Sequence, residues 1–318
     1  NLPVTPVTGM RVAHDDLIIS TQGRSFWIMD DISPLREIET AVASGAYLFD
    51  PLDTYRVLNI GGTFLAELGV EPPPAGVQVH YYLGEETEGG VTIEVLDRAG
   101  DVVQTFSSDS TTVEDTDGQT ISSDQGLNRI SWSLFYPAPE LPEGAVVWGY
   151  SGGVKAPPGV YTVRLVAGDS EVQERTFNVV ADPRLPEVTN ADFQAQFRIA
   201  MEVRDLITSI TRAIENLTAI REQVVGVMER AEAAGQASTL EALADTLKNK
   251  STGVHEELQQ TKNESGQDPI RNEPRLDNQW LELYGRLTGP DGYIAGGAEG
   301  APQEGTLERY RVLVDEWD

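Results

Sequence analysis

The sequence predicts a multidomain chain of α and β structure, with a short β-ribbon first, an antiparallel β-sandwich next and an α-helical bundle last. Three observations predict it. Short apolar runs separated by turn residues fill the first half. Past Asp182-Pro183 the apolar spacing switches from two to about three and a half. A length of 318 residues exceeds what one compact core usually organises.

The ribbon comes from Leu17–Thr21 and Ser25–Met29, two apolar runs flanking a polar turn that carries Gly23. An isolated hairpin is marginal in water, so one this hydrophobic must lie against other structure. No matching strands are evident elsewhere in the chain. The expectation is therefore that residues 1–35 are the last piece of a larger β-structure whose earlier strands lie outside the sequence.

Residues 36–75 read as a connector. It has a short helix or irregular crossing at 36–44, apolar runs at Tyr47–Phe49 and Tyr55–Ile60, and the breakers Gly61-Gly62 and Pro72-Pro73-Pro74. From Val77 to about 182, runs at Val77–Leu83, Val91–Leu96, Val102–Phe106, Asn128–Leu134, Val160–Leu165 and Val172–Val180 predict an antiparallel sandwich. Ile130, Trp132 and Leu134 share its inner face, and the polar insert Ser107–Gln125 reads as a mobile loop.

The bundle spans 183–318. Val203, Ile210, Leu217, Val224 and Ala231 recur every seven residues, with Ala200, Ile207, Ile214 and Met228 as companions, which predicts a helix over 190–234. Arg221 interrupts the second series, and Ile220 is expected to compensate. Ser238 and Glu241 form a capping box for a second helix striped by Leu240, Leu243, Leu247, Val254 and Leu258. Leu276, Trp280, Leu283 and Leu287 mark a third helix; Leu307, Tyr310, Val314 and Trp317 mark a fourth. The Gly-rich stretch 289–300 between them is not expected to be regular. Helices that each carry one stripe bury it by bundling.

Composition narrows the function. Lys and Arg total 23 against 51 Asp and Glu, a net charge of −28 that repels phosphate backbones and anionic lipid. The absence of cysteine excludes disulfides, thiolate metal sites and cysteine nucleophiles. No apolar run approaches the roughly 18 to 20 residues that span a bilayer, and no basic segment followed by an apolar core opens the sequence.

With that order in place, the run from Asp16 to Leu35, DLIISTQGRSFWIMDDISPL, resembles the closing blade of large bacterial β-propeller proteins, sortilin-like or glycosyl-hydrolase-like, with bacterial neuraminidase repeats. A histidine is common there where Gln22 stands. Tyr47-Leu48-Phe49-Asp50-Pro51, with Tyr55-Arg56, is similar to the segment that follows in those proteins. Gly126–Trp132 and Ala156–Val163 resemble an Ig-like module shared with flagellar hook-capping proteins, and Leu276-Asp277-Asn278-Gln279 with Leu283-Tyr284 fits the C-terminal end of the propeller family.

The resemblance implies final propeller strands at 1–35, an Ig-like sandwich at 76–182 and a secreted or periplasmic parent. It implies partners in a missing N-terminal propeller region and in another protein or a second copy. The aspartate box Ser/Thr-x-Asp-x-Gly-x-Thr-Trp cannot be written into 1–35, so no catalytic residue carries over. The expected role is non-catalytic, bracing the propeller and mediating binding or assembly. Two alternatives stand beside it: an accessory part of a sialidase- or glycosidase-like propeller hydrolase whose active site lies outside this chain, and a carbohydrate-binding module.

Residue chemistry adds no catalytic, cofactor or metal site. His255-Glu256-Glu257-Leu258-Gln259 opens like a zincin helix, but Gln259 stands where the second histidine is needed. Asp115-Thr116-Asp117-Gly118 resembles the middle of a calcium loop, yet alignment on Gly118 puts Val113 at the first ligand position. An irregular calcium site from Asp115, Asp117 and Asp124 competes with a solvated acidic loop. His14 and His80 read as structural, and neither a serine-nucleophile elbow nor a phosphate loop occurs. An aromatic platform for sugar on the sandwich would draw on Trp132, Tyr136, Trp148 and Tyr150. Alternation puts Trp132 in the core and leaves Trp148 and Tyr150 as the candidates.

Overall fold

A computed structural model describes residues 2–57, 75–84, 90–116, 118–168, 170–288 and 299–317. The breakers at 61–62 and 72–74, Asp117 and the Gly-rich 289–298 lie outside these residues. The fold is mixed α and β, with several sheets and a long helical segment. It divides into two compact units: Asn1–Leu134 with Pro158–Ala181, and Phe135–Pro157 with Asp182–Asp318.

The first unit opens with a three-stranded antiparallel sheet, β1 (Val7–Ala13), β2 (Asp16–Thr21) and β3 (Phe26–Met29), in that order. The sequence predicts the β2–β3 ribbon but not β1. β1 pairs with β2 through the two-residue turn His14-Asp15, whose φ values of 53° and 65° give the backbone twist that a tight hairpin requires. The sequence expectation that the ribbon has no partner strand in this chain is therefore corrected by β1.

Two short helices follow, α1 (Ser33–Arg36) and α2 (Ile38–Ser44). Residues 46–56, expected to be connector, are built into sheets instead. β4 (Ala46–Leu48) pairs with β6 (Val77–Leu83), and β5 (Thr54–Arg56) runs parallel to β12 (Gln173–Ala181). Side chains fix them there: Gln173 bonds both the Leu48 amide and the Ala46 carbonyl, and Asp53 accepts from the backbone and side chain of Asn178.

β7 (Val91–Leu96), β8 (Val102–Ser107), β9 (Gln119–Thr120), β10 (Gly126–Trp132) and β11 (Gly159–Ala167) complete the unit. Its other two sheets have the orders β10-β6-β4 and β5-β12-β11-β7-β8-β9. Trp132 of β10 joins them. It is 1% exposed, with its ring centroid 5.3 Å from Tyr161 of β11 and 6.2 Å from Phe177 of β12. Leu134 is also buried, but at φ 68° it sits past the end of β10.

The insert at 107–125 is not a bare loop. Asp109 caps α3 (Ser110–Thr116) by accepting from the amide and hydroxyl of Thr112 at 2.9 and 2.8 Å, and β9 then runs parallel to β8. An aspartate three residues before a threonine supplies the acceptor that the first turn lacks.

The second unit holds α4 (Asn190–Ala233), α5 (Ala237–Leu258), α6 (Leu276–Leu287) and α7 (Glu304–Trp317). Thr189 and Asp192 cap α4 reciprocally. The capping box expected at Ser238 and Glu241 does not form. Gly235, at φ 70°, turns the chain so tightly that Gln236 becomes the cap residue and Ser238 already lies in the first turn. The core unites Ala200, Val203, Ile207, Ile210 and Ile214 of α4 with Leu276, Trp280, Leu281, Leu283, Tyr284 and Leu287 of α6. Val154 is buried in it too, with Leu141, Val147 and Tyr150 packed against it, so the excursion 135–157 leaves the strands and folds with the helices.

Candidate interaction surface

The sheet β1–β3 presents the largest unsatisfied demand in the first unit. Its register decides which residues share a face. Val12, Leu17 and Met29 lie side by side, and Met10, Ile19 and Trp27 form the next row on the same face. The other face carries Arg11, Ile18 and Ile28, then Gly9, Ser20 and Phe26. An antiparallel sheet with one wet face alternates apolar and polar residues; here the second face also carries Ile18, Ile28 and Phe26 beside Arg11 and Ser20.

Neither face is covered by the described residues. Exposure runs from 39% at Trp27 to 73% at Phe26 across β3, and Met10 and Val12 are exposed as well. Covering such a side chain fully is worth about 1.5–3 kcal/mol. The surface therefore favours an occupant on each side.

A polar joint anchors the sheet. The Asp31 amide donates to Asp16 Oδ1 at 3.0 Å, the Ile32 amide to the Asp15 carbonyl at 2.7 Å, and Arg36 pairs with Asp15 at 2.7 Å. Asp31, held at φ 49°, accepts from the amide and hydroxyl of Ser33 through Oδ1, while its Oδ2 stands 3.5 Å from His80 Nδ1 on β6.

Burial pushes His80 below its ordinary 6.5, with Asp31 opposing that shift and Arg129 of β10 adding to it. A depressed histidine favours the fold while neutral. Its contribution is complete above pH 6.5 and is lost as pH falls through the lower folded value. The thermal midpoint should thus decline on acidification below about 6.5, and His80→Gln should flatten that limb; an unchanged pH profile in the variant would rule out His80 as its source.

The other candidate residues do not assemble into a site. Arg221 Nη2 lies 2.6 Å from His255 Nδ1, and His255 Nε2 lies 3.0 Å from Gln259 Oε1. A guanidinium only donates, so Nδ1 accepts and Nε2 carries the proton. The residue that breaks the zincin pattern is thus the imidazole's partner. Arg221 also donates to Thr218 Oγ1 and the Ser251 carbonyl, making the interruption of the α4 heptads a polar contact with α5. Ile220 does not compensate; it is exposed.

Asp115 lies on α3 and Asp124 before β10, both exposed, while Asp117 lies outside the described residues. Among the described residues no group of three or more metal-ligating side chains comes together. His14 occupies the β1–β2 turn.

The four aromatics are dispersed. Trp132 is core in the first unit. Tyr136 packs on Phe197 and Tyr150 on Tyr284 in the second. Trp148, 42% exposed, is tied by its amide to Asn278 Oδ1 at 3.0 Å. The neighbouring Asp277 accepts from the Asn278 amide, and burial pushes its carboxyl above the usual range.

A groove of about 430 Å³ between α6 and α7 contains Arg286 and Arg309. Glu282 pairs with Arg286 at 2.9 Å, and Arg309 is bound to Gln279 and lies 3.7 Å from Glu316. Its cations are already matched within the fold. No helix among the described residues is long and apolar enough to cross a membrane.

No family model matches the chain, and no curated protein matches it. Among solved structures, CopC from Methylosinus trichosporium OB3b is 12% identical, with a TM-score of 0.20, over 43% of this chain and 94% of that one. A likeness at that level carries no argument about fold or function.

Proposed function

We propose that this chain is the non-catalytic C-terminal region of a secreted or periplasmic β-propeller protein, in which β1–β3 is held between neighbouring blades. The observation that carries this reading is a three-stranded antiparallel sheet with apolar residues exposed on both faces. A propeller blade is covered on two sides by its neighbours, which is what such a sheet needs. The resemblance of Asp16–Leu35 to a closing blade supports the same reading. The sheets β10-β6-β4 and β5-β12-β11-β7-β8-β9, joined through Trp132, support the Ig-like sandwich. No cofactor is assigned.

Hydrogen exchange tests the docking. In a full-length protein with the upstream propeller, the amides of 17–20 and 26–29 should exchange at least about tenfold more slowly than in the chain 1–318, because opening then also uncovers buried faces. Equal rates would remove the blade assignment. The non-catalytic reading is tested apart from this: the chain alone should turn over no sialoside, glycoside or peptide substrate, and turnover by it would overturn that part.

A further inference from the structure

The α4–α5 hairpin carries a second apolar surface, independent of β1–β3. Its seam is fixed by Arg221, which reaches the Ser251 carbonyl and His255, and by Ala231 and Leu258, which are buried. On the seam side Leu217, Val224 and Met228 of α4 and Leu240, Ala244 and Ser251 of α5 are buried or half-buried.

At about 100° per residue, Ile220 and Val227 fall to one side of the α4 seam. In the antiparallel α5, Leu243, Leu247 and Val254 fall to the same side of theirs. All five are between 42% and 60% exposed. Both helices thus turn one continuous apolar stripe outward, and no described residue covers it.

Charge says what fits it. In a chain of net charge −28, the acids Glu222, Glu229, Glu241 and Asp245 lie on the opposite side of this hairpin. Of the acids, only Glu257 falls toward the rim of the apolar face at about 100° per residue, on the side that also carries Arg230 and Lys250, the latter one of four lysines in the whole sequence. Two such acidic chains repel almost everywhere; here they can approach.

Size agrees. The 22 residues of α5 run about 33 Å, and a face two helices wide offers on the order of 600 Å² per copy, or about 1,200 Å² for the pair, above the roughly 1,000 Å² total of a specific interface.

We propose that the α4–α5 hairpin pairs face to face with the hairpin of a second copy, closing a four-helix bundle around Ile220, Val227, Leu243, Leu247 and Val254. The geometry is that of antiparallel helices that bury one stripe each.

Sedimentation equilibrium of the chain should give twice its 34.7 kDa. Leu243→Glu with Leu247→Glu should weaken the dimer at least about 100-fold while leaving the helical circular dichroism intact. Trp27→Glu with Met29→Glu, on the separate sheet, should leave the dimer in place. A monomeric wild type, a dimer that survives the hairpin substitutions, or one lost only through the sheet substitutions would overturn the proposal.

Cross-linking gives an arm that does not depend on the acidic variants folding. Because the protein has no cysteine, Leu247→Cys should yield a disulfide-linked dimer on mild oxidation and Glu229→Cys should not. Equal cross-linking from the two positions, or none from Leu247→Cys, would also overturn it.

Discussion

Trp132→Ala should lower the stability of the first unit by about 3–5 kcal/mol, the usual loss for a large aromatic deleted from a core. The ring is 1% exposed and lies within 6.2 Å, centroid to centroid, of both Tyr161 and Phe177. It is thus the side chain through which β10 meets β11 and β12. Deleting it removes the apolar burial, leaves a cavity between the two facing rings, and forfeits a tilted contact with Tyr161 and an edge contact with Phe177, each worth about 0.5–1.5 kcal/mol.

Hydrogen exchange against denaturant should show the amides of β6, β10 and β11 opening together at lower concentration, with Trp132→Phe falling between the variant and the native protein. A loss below about 1 kcal/mol would mean that the two sheets are held by other contacts.

Trp132 was legible in the sequence because its alternation with Ile130 is a short-range signal. So was α4: heptads from Val203 to Ala231 leave little freedom in a helix whose first half is buried on that stripe. The ribbon β2–β3 was legible as apolar runs around Gly23, and with it the demand for partners that the exposed faces still carry.

What escaped has physical reasons. β1 contains Gly9 and closes through His14-Asp15, a turn with none of the Asn-Gly or Asp-Gly signal although both residues adopt positive φ. Arg221 looked like a defect in the heptads because its partners, the Ser251 carbonyl and His255, lie 30 and 34 residues away. The sequence places 135–157 within the sandwich for the same reason. Trp148 meets Asn278 across 130 residues and the Gly152 carbonyl meets Tyr284 across 132, distances over which composition says nothing.

That excursion supplies the second large effect. Gly153→Ala should destabilise the second unit by about 3 kcal/mol, the upper end for overpacking. A Cβ at Gly153 would stand 1.9 Å from the Tyr136 carbonyl oxygen and 3.1 Å from its carbon, backbone that cannot rotate aside. The two segments are paired there: the Tyr136 amide donates to the Val154 carbonyl at 2.8 Å and Phe135 bridges Lys155.

Separating them draws Val154 out of the helical core and disturbs Tyr150, whose hydroxyl donates to the Gly153 carbonyl and whose ring lies 5.6 Å from Tyr284. Gly253→Ala is the internal control. It sits within α5 with nothing inside 4 Å of the added carbon, and should gain up to about 1 kcal/mol from helix propensity. Chemical denaturation followed by helical circular dichroism reads both. If the two alanines have similar effects, residues 135–157 are not bound to the helices in the manner described, and the division of the chain at Leu134 and Pro158 is wrong.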